Sequence, residues 1–187
     1  MAKSNPHYQG KTLIPFTPEE GGARQLIIYP RDLNIVWGRD CRYWNAPKLK
    51  EAAELLQVSW LEVTGSVDNI DPDKAYEVGF ELAFTADAFG WGSSPIFMMV
   101  KRGKQGKFAW KREILDSNQT EPCRFWSTLK EADEKTNQDP DSRKLYFGLY
   151  EVWSGKWKGG LRINKAYVKE LPRKMDRNQH TADSRAQ

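Results

Sequence analysis

The chain has 187 residues, 39% hydrophobic and 29% charged, enough for one full domain and short for two. Lys and Arg outnumber Asp and Glu by 29 to 25, and the resulting charge of +4 is too small to mark a nucleic-acid binder by itself. The longest apolar run, residues 96–100, falls far short of the roughly 20 residues of a membrane-spanning helix, and the first residues lack the apolar core of a secretory signal.

In chain order, residues 1–24 are polar and broken by Pro6, Gly10, Pro15, Pro18, Gly21 and Gly22, which predicts a flexible arm. Residues 25–29 and 35–38 read as strands, and 47–56, with Pro47 near its start, as a short helix. Strand patterns return at 58–67 and most clearly at 76–84, where every even position is large and apolar. Further strands are expected at 95–101, 144–153 and 161–168, and a second, largely polar helix at 127–137. Turns built from Asp71-Pro72-Asp73, Gly90-Trp91-Gly92, Asp139-Pro140-Asp141 and Gly159-Gly160 separate them. From residue 173 onward almost nothing apolar remains, so a disordered polar tail is expected. Many short strands, Gly/Pro turns and one or two short helices predict an all-β fold, an antiparallel jelly-roll-like β-sandwich over 25–172.

Two cysteines, Cys41 and Cys123, cannot build a disulfide framework or a four-cysteine zinc site; they permit one bridge, a link between chains, or free thiols. The only histidines, His7 and His180, lie near the ends and argue against a histidine-rich metal centre or a Ser-His-Asp triad. No metal and no cofactor is expected.

The unusual feature is aromatic: eight Trp, seven Tyr and eight Phe. Between 29 and 44, Trp37, Tyr43 and Trp44 stand among Arg39, Asp40 and Arg42, a mixture that suits pyranose rings, whose C–H faces pack on indole, and equally fits Trp37 and Trp44 as core anchors flanked by surface charges. A second cluster holds Glu151, Trp153 and Trp157 around a hairpin tip at 154–156. Alternation along 145, 147 and 149 places Glu151 on the apolar face, where a carboxylate needs a partner or a ligand. A third segment, 101–112, carries Lys101, Arg102, Lys104, Lys107, Lys111 and Arg112 with Phe108 and Trp110, a basic-aromatic pattern that offers RNA binding as the alternative function. Carboxylates are numerous, but a hydrolytic pair is defined by separation in space, which the sequence does not supply, so they are a weak signal for a glycosidase.

Several of these blocks, in this order, resemble one family. Residues 28–38 (Ile-Tyr-Pro-Arg-Asp-Leu-Asn-Ile-Val-Trp-Gly), then Arg42-Tyr43-Trp44, residues 53–65, Tyr76-Glu77-Val78-Gly79-Phe80, Gly90-Trp91, Glu151 and 157–161 are similar to the phloem protein 2 lectins, the group sharing a domain with the tobacco agglutinin Nictaba. The similarity is greatest to cucurbit-type members and spans about 25–172. It implies a non-enzymatic β-sandwich lectin that binds N-acetylglucosamine oligomers such as chitin fragments and N-glycan cores. It also implies a homodimer located in the cytosol and phloem sap. The resemblance assigns sugar binding to Trp37, Trp44 and Glu151; Tyr43, Trp153 and Trp157 are added because they adjoin them in sequence. No nuclear-localisation stretch of the tobacco type is evident, and RNA carriage by phloem members keeps the 101–112 segment in view.

Overall fold

Alternating side chains decide the architecture. Along residues 76–82 the even positions Tyr76, Val78, Phe80 and Leu82 are fully buried while Glu77 and Glu81 reach solvent. The computed structural model describes residues 5–17, 24–137 and 139–172. Twelve strands occur among them: β1 (Ile14–Pro15), β2 (Gln25–Ile28), β3 (Asn34–Ile35), β4 (Trp44–Asn45), β5 (Ala53–Leu55), β6 (Leu61–Asp68), β7 (Tyr76–Phe89), β8 (Ile96–Arg102), β9 (Ala109–Glu113), β10 (Cys123–Leu129), β11 (Leu145–Glu151) and β12 (Gly159–Glu170). One sheet runs β1-β6-β11-β8-β9, with β3 also paired to β6; the other runs β10-β7-β12-β5-β4, with β2 also paired to β12. Every pairing is antiparallel except β1 with β6.

The two sheets bury their inner faces against each other as one core. Val63, Leu149, Met98 and Val100 from the first face Val78, Leu82, Leu161 and Ile163 from the second, and the Phe80 and Phe147 rings meet at 5.7 Å. Each such side chain contributes about 1.5–3 kcal/mol by leaving water. The chain is therefore an all-β sandwich, as the alternation requires.

Both expected helices give way to strands. Within 47–56, Lys50 takes a left-handed φ of 57° that stops any helix, and Ala53 and Leu55 turn inward as part of β5, paired with β12 and β4. Within 127–137, Ser127 and Leu129 continue the inward side of β10; only Glu134–Asn137 is helical, with Thr136 N–H donating to the Asp133 carboxylate at its start. The expected strand 35–38 ends at Ile35, where the chain turns.

The arm expected over 1–24 is docked where it is described. Ile14 and Phe16 are buried, β1 lies against β6, and Tyr8 exchanges both backbone hydrogen bonds with Ile35 at 2.9 Å. Residues 1–4, 18–23 and the tail from 173 lie outside the described residues.

Candidate functional site

The loops after β3 and β11 come together at one end of the sandwich. After Ile35 the chain turns through 36–39, and Trp37 sits at φ 63°, a left-handed conformation that costs a bulky residue about 1–3 kcal/mol. Local contacts hold it there. Trp37 N–H donates to His7 Nδ1 at 3.0 Å, the two rings stand 5.0 Å apart, and Gly38 and Arg39 N–H donate to Ile35 and Pro6 carbonyls, each at 3.0 Å. Gly38 is required by close approach, since a Cβ would fall 2.7 Å from that of Tyr8.

Asp40 organises the next turn. Its carboxylate accepts from Arg42 backbone N–H at 3.0 Å and from the Arg42 guanidinium at 2.7–3.2 Å, which holds its pKa down at about 2. The Asp40 carbonyl accepts from Tyr43 and Trp44 N–H, and the Arg42 guanidinium lies 5.3 Å from the Tyr43 ring centre. Tyr43 in turn stands 5.9 Å from Trp37.

The second loop is pinned from beneath. Glu151 ends β11 on its inward face and is 1% exposed. Its carboxylate accepts from Ser154 N–H at 3.1 Å and Ser154 Oγ at 2.9 Å, and it pairs with the fully buried Lys158 ammonium. Lys158 also donates to the Lys156 carbonyl at 2.6 Å and the Ser59 carbonyl at 3.4 Å, while its backbone exchanges two 2.9 Å bonds with Val58. A buried ion pair with this many hydrogen bonds fixes one conformation, and losing either member leaves an uncompensated charge. Beside it, Trp91 is buried and donates its indole N–H to the Gly159 carbonyl at 2.8 Å, and Gly90, at φ 84°, lets the backbone pass against residues 157 and 158.

The pin aims Trp157 outward, 53% exposed, with its ring 6.4 Å from Tyr43 and inclined to it by 34°. His7, Trp37, Tyr43 and Trp157 thus form one continuous line of rings with centres 5.0–6.4 Å apart. Its two tryptophans, Trp37 and Trp157, are exposed, and Arg42 and Asp40 flank Tyr43 between them. Such a surface offers apolar ring faces beside hydrogen-bonding edges, the combination that holds a sugar ring.

Of the six residues expected to bind sugar, the structure gathers Trp37, Tyr43 and Trp157. Trp44 differs: as the first residue of β4 it turns inward, is 1% exposed and presents no face to solvent, and its Nε1–H finds no acceptor among the described residues. Glu151 is likewise withdrawn, its carboxylate already taken by Ser154 and Lys158. Trp153 is 61% exposed but stacks edge-on against Phe97 of β8 at 4.6 Å, not on the other three rings. His7 and Lys158 were missed. His7 lies in a stretch whose composition reads as an arm; Lys158 carried a signal, because a buried Glu151 demands a cation from the next strand.

The basic segment does not form one surface. Arg102 closes β8 on its inward face and donates to the carbonyls of Asp71, Lys74, Lys130 and Ser142 at 3.0–3.4 Å. Burial pulls its pKa down, yet an arginine starts high enough to remain charged. Lys111 points to the other side of β9, paired with Glu113 at 3.2 Å and 5.2 Å from the Trp126 ring. Lys101 and Arg112 share the outer face of the first sheet, with Lys104 and Lys107 exposed on the loop between. Cys41 is exposed and Cys123 half-buried, both as free thiols; burial pushes the Cys123 thiol up. Among the described residues no group of His, Cys, Asp and Glu is arranged to hold a metal, and no helix is long and apolar enough to cross a membrane.

Comparison with known proteins places these features. The family described as Phloem protein 2 matches residues 23–169. Phloem protein 2-like A9 of Arabidopsis thaliana is 43% identical over 170 residues, covering 82% of this chain and 91% of that protein. A lectin of Luffa acutangula is 37% identical over 74 residues, 35% of each chain, and a lectin of Coccinia grandis 22% identical over 153 residues, 78% of this chain and 94% of its own. Among solved structures, the CBM22-1 xylan-binding domain of Paenibacillus barcinonensis Xyn10C aligns over 89% of this chain and 92% of that one at a TM-score of 0.40 and 10% identity, a likeness too distant to inform function. By the extent of the family match and the identity to its Arabidopsis relative, the chain belongs to the Phloem protein 2 family.

Proposed function

We propose that this protein is a non-enzymatic lectin that binds N-acetylglucosamine oligomers, as in chitin fragments and N-glycan cores, on the Trp37–Tyr43–Trp157 cluster. The observation that carries the reading is three rings from two distant loops held in one line with their outer faces in water. Relatives that are themselves lectins support it.

One indole face packs on the C–H face of a sugar ring, and the neighbouring ring walls the acetamide methyl. Arg42 donates to hydroxyl or carbonyl oxygens, and the Asp40 carboxylate, held ionised by Arg42, accepts from hydroxyl or amide hydrogens. Trp44 and Glu151 are positioning residues: Trp44 fills the volume under the first loop, and Glu151 with Lys158 holds the second. A glycosidase would need a carboxylic acid with a raised pKa beside the sugar. The carboxylates that shape the two loops are instead an Asp40 with a lowered pKa and a Glu151 locked to a lysine.

The cluster is an open surface with Trp37 and Trp157 exposed, so affinity for one sugar is modest and rises with oligomer length. Pairing of two copies into the expected homodimer adds avidity on surfaces dense in glycans. The test is a titration of chitotriose at two salt concentrations, followed by heat and tryptophan fluorescence. Saturable binding indifferent to salt is expected. No binding at millimolar sugar, or binding that collapses with salt, contradicts the reading.

A further inference from the structure

The outer face of the first sheet carries a second set of rings that the Trp37 cluster does not use. Cross-strand register sets Phe97 between Tyr150 and Arg112, Tyr146 beside Lys101, and Gly148 between the two tyrosines. Gly148 shapes this surface: the Tyr150 ring lies over it, and a Cβ there would fall 2.6 Å from that ring. A cleft of about 480 Å³ opens here, bordered by Asn34, Thr64, Lys101, Phe108, Tyr146 and Tyr150. Beyond it the apolar strip continues through Phe97, which touches Trp153 at 4.6 Å and Trp110 at 6.1 Å.

Several polar groups of the cleft are unspent, although the Ser66 hydroxyl donates to the Thr12 carbonyl. The hydroxyls of Thr64, Tyr146 and Tyr150 and the side-chain nitrogen of Asn34 make no hydrogen bond to another described residue; Asn34 uses only its oxygen, accepting from Gly10 N–H at 3.1 Å. Burial, with Glu62 adding, pushes the Tyr150 hydroxyl up to about 12, so it stays a donor at neutral pH. The cations of the face lie on β8 and β9, away from the carboxylates of β6. Neither Lys101 nor Arg112 has a carboxylate within ion-pair distance among the described residues. Of the carboxylates bordering the face, Glu62 accepts from the Trp60 indole at 2.9 Å, Asp68 has no cation within ion-pair distance among the described residues and acts on the Tyr146 hydroxyl, and Asp141 is paired with Lys144.

We propose that this face is a second saccharide site, separate from the Trp37 cluster, that takes an oligosaccharide bearing carboxylate groups. Its rings lie along the tyrosine–Phe97 strip, its hydroxyls meet Thr64, Asn34 and the tyrosines, and its carboxylates meet Lys101 and Arg112. Lys101 donates to the Lys104 carbonyl at 2.5 Å and lies 4.8 Å from the Phe108 ring centre, and a neutral glycan would leave both cations without a carboxylate. A single-stranded RNA would need a row of cations tracking its phosphates, and the strands of this face supply only these two.

Trigalacturonate is the direct probe, titrated into wild type, Trp157→Ala and the double variant Lys101→Gln/Arg112→Gln. Both changed positions of the double variant are solvent-accessible strand sites, and retained thermal unfolding confirms that it folds. Wild type binds saturably and less tightly as salt rises; the double variant loses roughly tenfold or more, and Trp157→Ala is unchanged. The proposal falls if trigalacturonate does not bind, if its methyl ester binds equally well, if Trp157→Ala abolishes binding, or if an oligouridylate binds more tightly. It also falls if the double variant dissolves a dimer, because the face is then covered by a second copy. Chitotriose, run in parallel, reads the Trp37 cluster alone, and its failure leaves the trigalacturonate result standing.

Discussion

The paired loops 36–43 and 152–158 and the segment 101–112 are similarly rich in rings and charges, yet only the loops gather them. In the loops, side chains distant in sequence converge because polar contacts hold the backbone: the Asp40 turn on one side and the buried Glu151–Lys158 pair on the other. In 101–112 the strands β8 and β9 obey their period of two, so Arg102 goes into the core, Lys111 to one side and Lys101 and Arg112 to the other. A dense motif on a strand is thus halved by geometry, whereas a motif on loops is as good as the groups that pin them.

That contrast breaks most sharply at the pin. Lys158→Ala leaves Glu151 buried without its cation and is expected to destabilise the fold by about 3–5 kcal/mol. A denaturant melt shifted by less than 1 kcal/mol would show the loop to be held by something else. Trp44→Ala should cost a similar amount, about 3–5 kcal/mol, through the cavity it leaves, and any loss of sugar binding should track unfolding. Binding abolished in a variant as stable as wild type would return Trp44 to direct contact. Trp157→Ala is the opposite case: its ring is exposed, so stability should move by less than about 1 kcal/mol while chitotriose affinity falls at least tenfold.

The sequence made the sandwich legible because alternation survives wherever one face is buried, as along 76–82 and 145–149. It misled at 47–56 and 127–137, where helix-favouring residues are captured by β12 and β7 through pairing that no local pattern reveals. Trp37 and Trp157 were legible as aromatic outliers in turn-rich stretches. Alternation already set Glu151 on the apolar face, but the role of Trp44 was open, since nothing in a motif tells a ring that touches ligand from one that supports it. His7 was invisible, because its role depends on the arm docking beside Ile35.

The smallest expected effect concerns pH. With its pKa held near 2 by Arg42, Asp40 is ionised both folded and unfolded above about pH 4, and the stabilisation of the loop by this pair is lost only as pH falls from there through 2. Asp40 should therefore contribute no change in chitotriose affinity until pH falls below about 3; an affinity loss that Asp40→Asn removes but that is centred above about 4 would mean that Arg42 does not hold the carboxylate ionised.

The central claim is that the displayed rings of the paired loops, and not the buried ones, meet the sugar. Tryptophan indole N–H signals of the eight-tryptophan chain, followed by NMR as chitotriose is added, address it residue by residue. Trp37 and Trp157 should shift in saturable fashion, with Trp91 and Trp44 nearly still. Shifts confined to Trp110 and Trp153 would move the site to the sheet face and contradict the account.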